Sequence, residues 1–414
     1  MRSEFLRNFR TLFTGTVIAQ TIPLLAAPLL SRIYTPDDFS LNEVFMRVYS
    51  IFLILSSLRY EQAIILAKSI TSANALLKLI LKISSVVSVA LLLIVLFFGK
   101  EVSLLLESPQ LENYLILCPI AIIIAANYQS LSNYCVRLKE FKRLSSTRAT
   151  VSVANTGYRV LFGLFTGGHP FGLISSLVFS QGLGFVMLKW KKAKGLFTSS
   201  SSEEVSEVAK TYSDFPKINT FHALLDSFRD ALIIYLIIAF LGNTTLGLYA
   251  FTIRLMKLPL GMVGSALGQV FYQKAAETHN AGGDTYSILK KAMVKMAMLS
   301  LPVFALIALL SPLVFSWVFG EEWQQAGKMA QIFSVWMYFV FLNSPFSQIP
   351  LIFDKQKQIF VMSLFGTAIS VLSLYLGSLW YSDAMDSFLL FSLAQSAYLA
   401  FVLIWTLRIS KKKA

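Results

Sequence analysis

Apolar runs recur along this chain at lengths that match a lipid bilayer. The windows Val86 to Phe98, Leu115 to Ala126, Ala231 to Leu241 and Val361 to Leu379, extended by their flanks, each approach roughly 20 residues, the helical length that crosses a hydrocarbon core. Core helices of soluble proteins rarely recur in this way. Composition agrees, since 56% hydrophobic residues against 14% charged ones leave too little charge to cover a water-soluble surface. The expected fold is an all-α integral membrane protein with about twelve transmembrane helices, at 11–31, 40–58, 83–99, 113–131, 149–167, 170–188, 218–241, 245–270, 292–316, 326–349, 359–381 and 386–407.

Arg2, Arg7 and Arg10 ahead of the first apolar stretch resemble a signal sequence, but no small-x-small site precedes Arg32. A retained first helix is expected. Threading the spans with the N-terminus inside, and counting Lys295 and Lys328 near span ends with the segments they adjoin, places 28 of the 36 Lys and Arg on cytoplasmic segments, with Arg32, Lys100 and Lys328 outside and five deeper within spans. Both termini are then cytoplasmic. The outside segments carry Asp37, Asp38, Glu101, Glu107, Glu112, Glu321, Glu322, Asp383 and Asp386.

Between spans six and seven the chain turns polar, from Lys191, Lys192 and Lys194 through Ser199 to Ser202 into Glu203, Glu204 and Glu207. This predicts a cytoplasmic linker, 191–217, between two six-helix lobes, 1–190 and 218–414. An even number of spans per lobe gives both the same direction, so a parallel repeat about an axis normal to the membrane is expected. A shift of 207 residues aligns Ser40, Leu41 and Arg47 with Gly247, Leu248 and Arg254, a short match in keeping with such a repeat.

The net charge of +14 does not indicate nucleic acid, because the basic residues are scattered between apolar spans with no zinc or RNP motif and no sustained basic stripe. Cys118 and Cys135 form no CxxC and read as small apolar residues. His169, His222 and His279 are too scattered for a metal site, and no cofactor is expected. There is no phosphate-cradling GxxxxGK[ST], no HExxH and no nucleophile elbow, so a transporter is expected rather than an enzyme. Thr35-Pro36-Asp37-Asp38 reads as a helix start, with Thr as N-cap and Pro in the first turn. Pro23, Pro28, Pro259, Pro302 and Pro345 fall in or near spans, where they bend helices. Gly261, Gly264, Ser265 and Gly268 recur at a spacing that admits a close neighbouring helix.

Charges inside spans carry the functional reading. Arg47, Arg159, Arg229, Arg254 and Lys257 each cost roughly 2.5–3.5 kcal/mol at mid-membrane, on the order of 15 kcal/mol if all faced lipid. Such a sum matches the whole stability of an ordinary domain, so most of them should face a hydrated cavity or a carboxylate. Set against Asp226 and Asp230 the five cations leave +3, or +2 with Glu43, which suits an anionic passenger. The bland reading is that Arg47 and Lys257 snorkel to an interface and that Arg229 pairs with Asp226 or Asp230. Asp226 and Asp230 stand one turn apart and could hold a proton or Na⁺ between them, which leaves H⁺ or Na⁺ coupling open.

The run Gly15-Thr16, Ala19-Gln20, Pro28 to Phe39, then Arg59-Tyr60-Glu61 and Ala63-Ile64 resembles the Wzx-type flippases of polysaccharide units, in the multidrug, oligosaccharidyl-lipid and polysaccharide exporter superfamily. Asp214-Phe215-Pro216 looks like the approach to the second lobe in such proteins. The resemblance implies two six-helix lobes around a cavity of alternating access, in the bacterial cytoplasmic (inner) membrane. It implies an undecaprenyl-diphosphate-linked oligosaccharide, for O-antigen or related surface polysaccharide, moved from the cytoplasmic to the outer leaflet. Membrane lipids, a polysaccharide polymerase and chain-length machinery are the implied partners. For a passenger carrying about two negative charges, a potential of ~100 mV, inside negative, would favour export by roughly 4.6 kcal/mol. The five cations are the expected substrate contacts, whereas Arg59 and Glu61, near the cytoplasmic face, read as a structural ion pair at least as readily as a gate. The alternatives are a multidrug-type exporter of the same superfamily, whose cationic drugs would sit poorly beside five basic residues, and a membrane-embedded polymerase, which would require an outer catalytic loop.

Overall fold

The computed structural model describes residues 2–190 and 200–411, without the side chains of 2–16, 259 and 261–266 and a few others. Among the described residues there is no strand, and twelve long helices carry the chain. They are α1 (Arg2–Ile33), α2 (Pro36–Ser57), α3 (Ile70–Leu105), α4 (Leu117–Arg137), α5 (Phe141–Thr166), α6 (Phe171–Trp190), α7 (Thr220–Leu241), α8 (Asn243–Asn280), α9 (Thr285–Phe319), α10 (Gln324–Asn343), α11 (Gln356–Trp380) and α12 (Ala384–Ile409). Each expected span falls on one of them. Six of the described helices are long and apolar enough to cross a membrane by themselves, or seven when the bent pair Pro109–Leu115 and Leu117–Arg137 counts as one span. Helices α5, α7 and α8 are outside that set, and they bear Arg159, Asp226, Arg229, Asp230, Arg254 and Lys257.

Local chemistry explains where helices start and break. Thr35 caps α2 as expected: Asp38 N donates to its hydroxyl at 3.3 Å while Thr35 N donates to Asp38 Oδ2 at 2.8 Å, with Pro36 in the first turn. The 54° bend before α4 precedes Pro119, which has no N–H for the carbonyl of Leu115. The expected span 326–349 overruns its helix. Pro345 cannot bond the carbonyl of Phe341, so α10 stops at Asn343 and a 3₁₀ turn, Ser344–Phe346, follows.

The chain divides into two compact units, residues 1–235 and 236–414, with the division inside α7. In the first unit α4, the fourth long helix, packs on α3, α6 and α2 and buries Cys118, Ala121, Ile122, Ala125 and Ala126. In the second, α10 is again the fourth helix of its half. It packs on α9, α12 and α8 and buries Ala326, Met329, Ala330, Phe333 and Met337. The fourth helix of each half thus keeps the same three neighbours, as a repeat requires. Small residues permit the approach: a Cβ on Gly327 would lie 2.6 Å from Ser311 O and 2.7 Å from Pro312 Cα. Gly268 would meet Pro345 Cα at an ordinary 3.6 Å, while Gly261, Gly264 and Ser265 lie outside the described side chains. Cys118 and Cys135 are buried free thiols.

Of the expected linker, Lys191, Lys192, Lys194 and Ser199 lie outside the described residues. Its later part is ordered: Ser202–Thr211 is a helix with a capping box between Ser201 and Glu204. Val205 and Val208 bury themselves among Tyr60, Ile64, Leu76 and Ile80, and Lys78 Nζ donates to Ser200 O at 2.6 Å. The polar composition conceals two valines at a helical spacing, which suffice to seat one face.

Candidate functional site

Glu43 and Arg47 stand one turn apart on α2, a spacing that sets side chains side by side on a helix. Arg47 Nε donates to Glu43 Oε1 at 3.0 Å and its Nη2 reaches the same oxygen, while Nη1 donates to Asp230 Oδ2 on α7 at 3.4 Å. Asp230 is a bridge. Its other oxygen, Oδ1, accepts from Arg229 Nε at 3.1 Å and Nη2 at 3.0 Å. Arg229 Nη1 in turn donates to Asp226 Oδ1 at 3.3 Å, and His222 Nδ1 lies 3.5 Å from Asp226 Oδ2. The result is a chain of alternating sign across α2 and α7: Glu43, Arg47, Asp230, Arg229, Asp226, with His222 at its end.

All of these groups belong to the first unit and none is sealed. Side-chain exposure is 31% for Arg47, 21% for Glu43, 31% for Arg229 and 40% for Asp230. Charges so placed halfway along α2 and in the first half of α7 need water or a polar guest on their open side. Three carboxylates against two guanidiniums give a local charge of −1 with His222 neutral. The sequence count of +3 or +2 therefore does not describe this cluster of the first unit, because Glu43 does reach Arg47, Arg159 stands in another part of the same unit, and Arg254 and Lys257 belong to the second. Arg229 pairs with both Asp226 and Asp230, where the bland reading of the sequence offered one or the other.

Arg159 is buried, at 6% exposure, in a polar ladder between α5 and α6. Its Nε donates to Ser176 Oγ at 2.8 Å, and Asn155 Nδ2 donates to Ser176 Oγ at 3.2 Å and Ser180 Oγ at 3.1 Å. Its backbone carbonyl accepts from Tyr34 Oη at 2.8 Å. Arg254 and Lys257 belong to the second unit, both exposed on α8, with Lys257 Nζ 6.0 Å from the centre of the Trp336 ring. Within the first unit the structure thus brings Arg47 and Arg229 together with Asp226 and Asp230 and puts Arg159 in a separate ladder, while Arg254 and Lys257 lie on α8 of the second unit. The contact between α2 and α7, across 183 positions, and the role of His222 were missed in the sequence. The spacing of Glu43 from Arg47, and of His222, Asp226 and Asp230, was the signal available.

The expected ion pair is seen outside the spans, where Arg59 Nη1 lies 3.6 Å from the buried Glu61 Oε1. Leu58 and Arg59 take left-handed backbone conformations, φ 47° and 60°, and so break α2 from the short helix Tyr60–Leu66. Burial pushes the Tyr60 phenol above its ordinary value, and the protonated hydroxyl donates to Ala209 O at 3.0 Å, which ties the Arg59-Tyr60-Glu61 motif to the linker helix.

Residues 29–328 match the family described as polysaccharide biosynthesis proteins. Solved structures that share the fold include three transporters. One is an inward-facing multidrug resistance MATE family transporter of the MOP superfamily, 14% identical, with a TM-score of 0.70 over 95% of this chain and 98% of that one. The second, a MOP superfamily transporter from Pyrococcus furiosus, is 13% identical, with a TM-score of 0.64 over 97% and 95%. The third, a MATE transporter mutant from Vibrio cholerae, is 12% identical, with a TM-score of 0.60 over 98% and 95%. No curated protein matches the sequence significantly.

Proposed function

Because the chain belongs to the family of polysaccharide biosynthesis proteins, we propose that it is a flippase of undecaprenyl-diphosphate-linked oligosaccharide repeat units, moving them from the cytoplasmic to the outer leaflet by alternating access. The observation that carries this reading is the open-sided ion chain of α2 and α7. Arg47 and Arg229 each present a guanidinium already oriented by carboxylates, and a guanidinium matches phosphate oxygens in pairs. A diphosphate arriving between them competes with Glu43, Asp226 and Asp230 for the same N–H donors. The carboxylates it displaces then take a proton or Na⁺, or turn to water, and release of the passenger restores the original pairs. Binding by exchange leaves neither charge stranded in a medium where isolation is costly. Arg159, Arg254 and Lys257 serve the same passage from other positions in this reading. The setting proposed is the bacterial inner membrane, with both termini cytoplasmic and with polymerase and chain-length proteins downstream.

One observation favours a second reading. The cluster's charge of −1 would match a cation, and the shared fold occurs in multidrug transporters. Pocket polarity separates functions within this fold, since the reversed polarity of the binding pocket in the Pyrococcus furiosus transporter suggests a different function for that protein. The test is surface polysaccharide in a strain that lacks the gene and has no redundant flippase, complemented by the wild-type or the R47Q or R229Q form at equal protein level. Polymer restored by the wild type and not by the variants supports the flippase. Unchanged polymer with lost efflux of a cationic dye would move the assignment to the exporter.

A further inference from the structure

A basic site stands in the second unit, where α9 begins. An open space of about 740 Å³ lies along one face of this helix, bordered by Tyr286, Ser287, Lys290, Lys291, Lys295 and the apolar Val294, Met298 and Leu299. The three lysines are exposed, and Lys411 joins them from beyond the end of α12. Lys290 and Lys411 both lie over the Tyr286 ring, 5.9 Å and 5.0 Å from its centre. The one acid on the lining, Asp284, is engaged as N-cap of α9, accepting from Ser287 N at 3.1 Å.

The stripe continues without a break into the lipid-facing side of the same helix. From Met296 to Phe319 no charged residue occurs, a length of helix sufficient to cross a bilayer core. Met298, Leu299, Leu301, Leu306, Leu309 and Leu313 are all more than half exposed. The lysines therefore sit at the level where headgroup meets acyl chain, with an ammonium cluster above and an apolar track below. We propose that this face binds an anionic phospholipid of the surrounding leaflet, its phosphate among Lys290, Lys291, Lys295 and Lys411 and its acyl chain along Val294, Met298 and Leu299. A zwitterionic headgroup brings its own cation and would be repelled as much as held. The site takes lipid of the bulk bilayer, so it stands whether or not the proposed passenger is right.

The test is native mass spectrometry of the purified full chain with phosphatidylglycerol or phosphatidylcholine, for the wild type and for K290Q/K291Q/K295Q. Each lysine near an anionic headgroup contributes about fivefold, so the triple variant should retain phosphatidylglycerol roughly a hundredfold more weakly. Thermal stability in phosphatidylcholine nanodiscs should not change, because the three side chains are exposed. Equal retention of phosphatidylglycerol by variant and wild type overturns the site. So does an equal loss in K355Q/K357Q, which would show a general effect of charge. Displacement of the lipid by inorganic diphosphate at equal concentration would also overturn it, since the apolar track would then contribute nothing.

Discussion

The two units build the same succession of helices around different interiors. In the first, hydrogen bonds and ions hold the helices: Arg159 to Ser176, Asn155 to Ser176 and Ser180, Asn127 Nδ2 to Ser84 Oγ at 3.2 Å, and the ion chain of α2 with α7. In the second, rings do so. Phe333 is crossed edge to face by Tyr249, Trp336 and Phe388 at 5.8, 5.7 and 5.4 Å, and Phe251 lies 4.2 Å from Trp323. Lipid tails are as apolar as a leucine, so helices in a membrane associate by close packing and by interhelical hydrogen bonds. Both units use both means, since Tyr158 stacks on Phe179 at 5.1 Å in the first and Ser392 Oγ donates to Ile332 O at 2.8 Å in the second, but the ion chain belongs to the first and the crossed rings around Phe333 to the second. A polar interior can exchange partners at small cost, whereas interlocked rings lose contacts when any one shifts. In the proposed function the first unit is thus the half that handles a charged guest.

The contrast breaks most visibly at Phe333, which is fully buried at the centre of the second unit. F333A should cost about 3–5 kcal/mol, read as a large fall in the melting temperature of the purified protein in detergent. In the first unit R159M, which keeps the stem and removes the donor to Ser176, should cost about 1–3 kcal/mol by the same measurement. A larger fall for R159M than for F333A would show that polar contacts dominate stability and that the second interior is no more rigid than the first.

The sequence made the spans legible because apolar runs and prolines act locally, and Thr35-Pro36-Asp37-Asp38 declared its helix start for the same reason. The charges were legible as a set, since Arg47 or Arg229 in an apolar span has few explanations. Their partners were not. Glu43 to Arg47 is a local spacing and could be weighed, but Asp230 to Arg47 depends on how α7 lies against α2, which no local pattern encodes. Arg159 shows the limit most plainly. Its cost in lipid marked it for a cavity, yet serines and Asn155 on α5 and α6, unremarkable one by one, form a buried ladder around it. The docked helix Ser202–Thr211 was hidden for the converse reason, because two valines among acids and serines look like a linker.

Between α2 and α7 a double-mutant cycle of R47Q and D230N sharpens the comparison. Both side chains are partly exposed, so their coupling should be about 0.5–1 kcal/mol in stability, well below the effect at Phe333. Transport should respond far more than stability, with surface polymer lost in R47Q at normal protein level. A coupling above about 3 kcal/mol would mean that the pair is sealed and structural, and that no guest competes for it.

The smallest effect is expected at the corresponding helix of the second unit. Arg254 occupies on α8 the place that Arg47 holds on α2, six residues beyond a buried leucine in each case. The neighbourhood differs: no acid stands on α8 before Glu277, and the nearby Lys257 has the face of Trp336 at 6.0 Å. A cation at that distance from an indole gains about 0.5 kcal/mol at an exposed site, the low end of the range, so K257Q should lower the melting temperature by about a degree or two. K257Q and R254Q together should still lower polymer export, because two exposed cations three residues apart on one helix add their attraction for an anionic guest. If K257Q destabilises the protein more than R47Q does, the second unit depends on its charges as the first does, and the contrast between the two interiors does not extend to their cations.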